Sequence, residues 1–184
     1  MNLPNSLTIL RIILIPVFVI FLLINIPHGD YIAALIFSVA ALTDSLDGYL
    51  ARKRREVTTL GVILDPLADK LLVTAALISL VELARIPGWT VIVILGREFA
   101  VTGLRAIKAE QGIVIPASWM GKVKTISQIV AILLVILEKS FQELFAFPIG
   151  LWVLYLAVAI TLVSGIDYFY KFKISERNVD DNCG

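Results

Sequence analysis

Six times along the chain an apolar run long enough to cross a lipid bilayer recurs, at roughly residues 7–26, 31–51, 64–84, 89–108, 121–138 and 147–169. A helix needs about 20 such residues to span the hydrocarbon layer, and inside it every backbone polar group must be satisfied within the protein. The runs therefore predict an all-α, polytopic membrane protein: a bundle of six transmembrane helices. Composition agrees, since 59% of the residues are hydrophobic where a soluble domain has about half. A chain of 184 residues is filled by six spans with short connections. One transmembrane domain over 1–170 is expected, followed by a polar tail, 171–184, disordered beyond about Glu176.

Connections carry their own signals. "NIPHGD", "RIPGW" and "QGIVIPASW" each combine Gly with Pro and separate the runs. The N-terminal run lacks a positive leader and a small-residue cleavage site, and it is too long for a signal peptide, so it is read as retained. Cys183, the single cysteine, excludes an intrachain disulfide, and a net charge of +1 gives no support to a nucleic-acid partner. Lys and Arg concentrate in alternate connections: Arg52 to Arg55 after the second run, Arg105, Lys108, Lys122 and Lys124 around the fourth and fifth, Lys171, Lys173 and Arg177 in the tail. Positive loops stay in the cytoplasm, which puts both termini there. Trp89, Trp119 and Trp152 fall where interfacial anchors belong, and Glu82 and Arg85, at i, i+3, read as a surface ion pair.

Against this apolar background stands "ALTDSLDGYLARKRREVTTLGVILDPLADK", residues 41–70. Asp44 and Asp47 are spaced i, i+3 and Asp65 and Asp69 i, i+4, so each pair shares one helix face. A short basic connection makes the two helices antiparallel and brings both pairs to one depth. On insertion scales a charged residue costs ~2.5 to 3.5 kcal/mol near a bilayer centre. Four together require a cation. Oxygen donors with no Cys or His beside them, His28 lying at the opposite side, favour Mg²⁺ or Mn²⁺ over zinc. Gly48, Ala51 and Gly61 share these faces and would let a bulky ligand approach. The bland alternative pairs the aspartates with the Arg-Lys-Arg-Arg run in a solvated loop.

The whole array, Asp44-x2-Asp47-Gly48-x2-Ala51-Arg52-x8-Gly61-x3-Asp65-x3-Asp69, resembles the signature of the CDP-alcohol phosphatidyltransferase family at every fixed position. The resemblance, which extends over roughly residues 2–170, implies a six-helix membrane bundle, usually a homodimer. Such a bundle transfers a phosphatidyl group from CDP-diacylglycerol to an alcohol with Mg²⁺ or Mn²⁺. It assigns Asp44, Asp47, Asp65 and Asp69 to the metal, Asp69 also to the general base, and Gly48, Ala51, Arg52 and Gly61 to the donor. "PNSLTILR" is similar to a family element that closes the nucleotide pocket, which adds Asn5 and Thr8; its plain reading is an N-cap and a snorkelling Arg11.

The acceptor should be legible in the later spans. "GREFAVTGLRAIKAE" and "GKVKTISQ" resemble members of the family that act on sn-glycerol 3-phosphate to make phosphatidylglycerophosphate. Arg105, Lys122 and Lys124, and more weakly Arg97, are the candidate acceptor-phosphate contacts, because a phosphate brought near four carboxylates needs several donors; the plain alternatives are that Arg97 pairs with Glu98 or another intramembrane acid and that the lysines are flanking cytoplasmic charge. Rival acceptors are inositol phosphate, serine and phosphatidylglycerol. From other classes, a divalent-cation transporter could use the same acids but has no use for the Gly48 to Arg52 pattern, and a noncatalytic bundle would gain nothing from the carboxylates. The expected location is a bacterial inner or plasma membrane, among its lipids, with the active site facing the cytoplasm.

Overall fold

The computed structural model describes residues 3–24, 26–54, 59–110, 119–141 and 147–180; within these, the side chains of 3–7, 44–54, 59–66, 69, 140–141, 171 and 173–180 lie outside the described set. The described residues form six helices: α1 (Leu3–Leu23), α2 (Gly29–Arg54), α3 (Thr59–Glu82), α4 (Gly88–Glu110), α5 (Trp119–Phe141) and α6 (Ile149–Asp180). Each predicted apolar run matches one of them, with the runs 7–26, 64–84 and 147–169 overshooting a helix end by two or three residues. The main departure is at the C-terminus, where the run ends near 169 but α6 continues to Asp180. Residues 171–180 of the tail are helical, with no Gly or Pro between Gly165 and Asp180 to stop the helix, and this corrects the expectation of disorder for residues 177–180.

Helix directions follow from contacts between distant residues. Phe18 of α1 meets Phe37 of α2, with ring centroids 5.5 Å apart, across a hairpin turn closed by Gly29 N donating to Ile26 O. Arg85, just beyond α3, reaches Asp30 in the first turn of α2 at 2.9 Å, so α3 ends where α2 begins and the two run antiparallel. Along α4 and α6 the contacts advance together, Trp89 stacking on Tyr155, Arg97 bonding Ser164 and Arg105 meeting Tyr168, which makes these helices parallel. Gln128 donates to Thr161 at 2.9 Å and sets α5 against α6.

Arg85 holds one end of the bundle together. Leu80 O accepts from Arg85 N and Val81 O from Ala84 N, a Schellman-type stop whose left-handed residue, usually glycine, is here Ala84 at φ 54°. The reversal turns the guanidinium inward, where it donates to both Asp30 oxygens and to Ile136 O of α5. The sequence reading of a Glu82–Arg85 pair is thus corrected: the helix ends between them, and Glu82 stays exposed.

Phe18, Phe37, Leu77, Leu80, Ile94, Ile132, Ile136 and Leu154 are buried in the core. The outer surface is apolar as well, with Ile92 74% and Ile166 70% exposed, an arrangement that suits a lipid environment. Trp119–Lys139 and Ile149–Tyr170 are long and apolar enough to cross a membrane among the described residues.

At the crossing of α5 and α6, a Cβ on Gly150 would lie 2.8 Å from Val135 N and 2.9 Å from Val135 Cα, both backbone atoms that a rotamer change cannot move. Gly150→Ala should therefore cost about 1–3 kcal/mol and lower the apparent Tm of the purified protein by roughly 3–10 °C. An unchanged melting curve would contradict this close approach.

Candidate functional site

The motif occupies one end of the bundle, opposite Arg85. α2 carries Asp44, Asp47, Gly48, Ala51 and Arg52, and α3 carries Gly61, Asp65 and Asp69. From the facing ends of these antiparallel helices, Arg54 and Thr59, the aspartates lie seven and ten residues in on α2, six and ten on α3. At 1.5 Å per residue both pairs are about 9–15 Å from the α2–α3 connection, hence level with one another. Their side chains, with those of Asn5, Gly48, Ala51, Arg52 and Gly61, lie outside the described residues. α1 packs against both helices, and there Thr8 and Arg11 are completely buried. Among the described residues no other group of three His, Cys, Asp or Glu could hold a metal.

Beside the motif, α3, α4 and α5 enclose a small recess lined by Lys70, Thr74, Glu98, Lys124, Thr125 and Gln128 together with Val73, Leu95 and Phe99. Lys70 follows Asp69 directly, which places the recess next to the end of the aspartate array. Within it, Lys124 Nζ donates to Glu98 Oε1 across the α4–α5 contact, and both side chains are largely buried. Arg97 extends the network to α6. One of its Nη atoms lies 3.4 Å from Glu98 and the other donates to Ser164 Oγ at 2.7 Å, while its Nε has no partner among the described residues. Gly165 leaves room for the Arg97 stem, since a Cβ there would come within 3.1 Å of its Cγ.

Of the four predicted acceptor cations, then, the structure brings Arg97 and Lys124 together through Glu98. Arg105 lies apart from that pair, against α6: its Nε donates to the Tyr168 hydroxyl at 3.3 Å and its guanidinium sits 5.2 Å from the ring centroid. Lys122 is exposed on α5. The sequence offered Glu98 as a partner for Arg97, and the structure sets the two 3.4 Å apart, but it did not show that Lys124 shares this anion, nor that Ser164, Gln128 and Thr161 form the polar seam between α4, α5 and α6. Polar residues inside runs of apolar ones were the available signal, but nothing local says which helix supplies the partner.

An all-helical bundle with an apolar exterior and an aspartate array across one helical hairpin defines a class of membrane protein, and comparison identifies it: the chain belongs to the CDP-alcohol phosphatidyltransferase family, whose profile matches residues 1–163. A Bacillus subtilis relative named CDP-diacylglycerol–glycerol-3-phosphate 3-phosphatidyltransferase is 47% identical over 182 residues, covering 92% of this chain and 94% of the relative. A Rickettsia bellii protein of the same name is 40% identical, over 94% of this chain and 96% of its own length. A Mycobacterium tuberculosis protein named probable phosphatidylglycerophosphate synthase is 42% identical, over 91% of this chain and 79% of its own.

The Glu98–Lys124 pair generates a direct test. Lys124→Met leaves a buried carboxylate with a poorer cation and should destabilise by about 3–5 kcal/mol, whereas the double variant Glu98→Gln/Lys124→Met should recover most of that loss. Additive losses in SDS-titrated unfolding would mean that the two groups do not depend on each other.

Proposed function

We propose that this protein is a multi-pass enzyme of the bacterial cell membrane that transfers the phosphatidyl group of CDP-diacylglycerol to sn-glycerol 3-phosphate, giving phosphatidylglycerophosphate and CMP. The observation that carries the reading is the complete eight-position motif on two antiparallel helices, level with one another, in a chain of this family. The names of its relatives supply the acceptor.

In this reading all six helices cross the membrane, both termini and the motif face the cytoplasm, and the enzyme works as a homodimer. Asp44, Asp47, Asp65 and Asp69 would hold Mg²⁺ or Mn²⁺, for which an all-carboxylate donor set is the right chemistry. Bound there, the metal would neutralise the donor's pyrophosphate. Asn5, Thr8, Gly48, Ala51, Arg52 and Gly61 border the donor, the Arg52 guanidinium contacting a phosphate oxygen. Asp69 accepts the proton of the glycerol 3-phosphate hydroxyl as its oxygen attacks the phosphorus that carries diacylglycerol. The bond from that phosphorus to the CMP oxygen breaks, and CMP leaves with the electron pair. Direct displacement is favoured because the motif contains no Ser, Cys or His nucleophile. Lys124 and Arg97 receive the acceptor phosphate beside the Glu98 carboxylate, with Arg105 and Lys122 adding positive charge nearer the exposed end.

Purified protein given labelled CDP-diacylglycerol and each acceptor separately should turn over with glycerol 3-phosphate. Turnover with inositol phosphate, serine or phosphatidylglycerol in its place would reject the acceptor. Asp69→Asn should keep donor binding and lose about 10²–10⁴ in kcat, while Asp44→Asn weakens metal and donor binding together. Near-normal turnover in both variants would refute the assignment.

A further inference from the structure

We infer that Arg11 is the counter-charge built into the fold for the aspartate motif, a positioning residue that α1 holds level with Asp44. Arg11 is the sole charged residue of α1, yet it is fully buried and is among the largest side chains that are. A guanidinium keeps its charge at any accessible pH, so a buried one needs anions within reach. None is available on its own helix.

Register locates the anions. Phe18 faces Phe37, and the hairpin turn between Ile26 and Gly29 is centred midway between them in sequence, so two independent features give the same alignment of α1 with α2. Seven residues back along α1 from Phe18 is Arg11, and seven onward along α2 from Phe37 is Asp44. Ten residues in the same senses give Thr8 and Asp47. Arg11 is thus level with Asp44, and Thr8 with Asp47, to within about a helical turn.

The faces agree with the levels. Thr8, Arg11, Phe18 and Leu22 form the buried stripe of α1. On α2 the buried Ala33, Phe37 and Ala40 are followed at helical spacing by positions 44 and 47, and on α3 the buried Leu72, Ala76 and Leu80 are preceded at the same spacing by 69 and 65. The other acids of α2 and α3 are elsewhere: Asp30 is at the far end on Arg85, and Glu82 is exposed there. Of the acids on α2 and α3, the two helices against which α1 packs, those of the motif are level with Arg11.

A permanent cation at this place holds the carboxylates at their working separation before any metal enters, and it lowers the charge a metal must neutralise. The inference rests on the proposed metal reading only for that second effect. In full-length purified protein with EDTA, Arg11→Met should lower the apparent Tm by roughly 5–10 °C. Arg11→Lys should retain most of the wild-type value. Adding Asp44→Asn to Arg11→Met should raise the Tm again, because it removes the charge left uncompensated. Mn²⁺ should restore part of the Arg11→Met loss. Additive shifts from Arg11→Met and Asp44→Asn, or an Arg11→Lys as damaged as Arg11→Met, would overturn the inference. If Arg11→Met does not accumulate, recovery of folded protein in the double variant supports it, and a double variant that also fails where Asp44→Asn alone folds refutes it. Coupling in EDTA with a wild-type Tm indifferent to Mn²⁺ would uphold Arg11 while discarding the metal site.

Discussion

A carboxylate inside an apolar helical bundle must find a cation, because the surrounding backbone is already committed to helical hydrogen bonds and the surrounding side chains are hydrocarbon. This requirement shapes the protein at three levels along its axis. At one end Asp30 is met by Arg85, whose inward turn ties α2, α3 and α5 together. Between the ends Glu98 is met by Lys124 and Arg97, which joins α4 to α5 and, through Ser164, to α6. At the other end four aspartates are gathered on one hairpin, more negative charge than a single guanidinium such as Arg11 can balance. That excess separates the third site from the other two. The first two meet each carboxylate with cations already in the fold, whereas the third, in the proposed reading, would take up a divalent ion and a polyphosphate.

The same logic divides the work of the proposed reaction. In the proposed reading, donor chemistry would fall to the hairpin of α2 and α3, with its small residues and carboxylates, and acceptor recognition to α4 and α5, where the recess beside Asp69 holds a lysine already engaged by a carboxylate. In the proposed reaction an incoming phosphate would meet a lysine whose charge Glu98 already compensates, not a bare buried ammonium.

Much of this was legible in the residues. Span-length apolar runs and Gly-Pro connections located all six helices, and the aspartate spacing located the family, because both are local patterns. Pairings between distant elements were not legible. Arg85 looked as though it belonged to Glu82, three residues away, when a left-handed Ala84 turns it to Asp30, and no local signal announces an alanine in that conformation. Arg97 and Ser164 are 67 residues apart, and Gln128 and Thr161 are 33 apart. Such partners are chosen by which helices pack together, which periodicity does not encode. The helical extension of α6 to Asp180 was missed for the opposite reason: hydropathy marks where a run stops being apolar, not where a helix stops.

In the proposed reaction, carboxylates from α2 and α3 would converge on a divalent ion that holds the liponucleotide's pyrophosphate. Electron–nuclear double resonance on purified protein loaded with Mn²⁺ and CDP-diacylglycerol reads this directly. Convergence on the ion should give ³¹P couplings on a protein-bound Mn²⁺, abolished when Asp44 and Asp65 are both replaced by Asn. A Mn²⁺ signal that keeps its full water shell and shows no phosphorus coupling in the unaltered protein would contradict it.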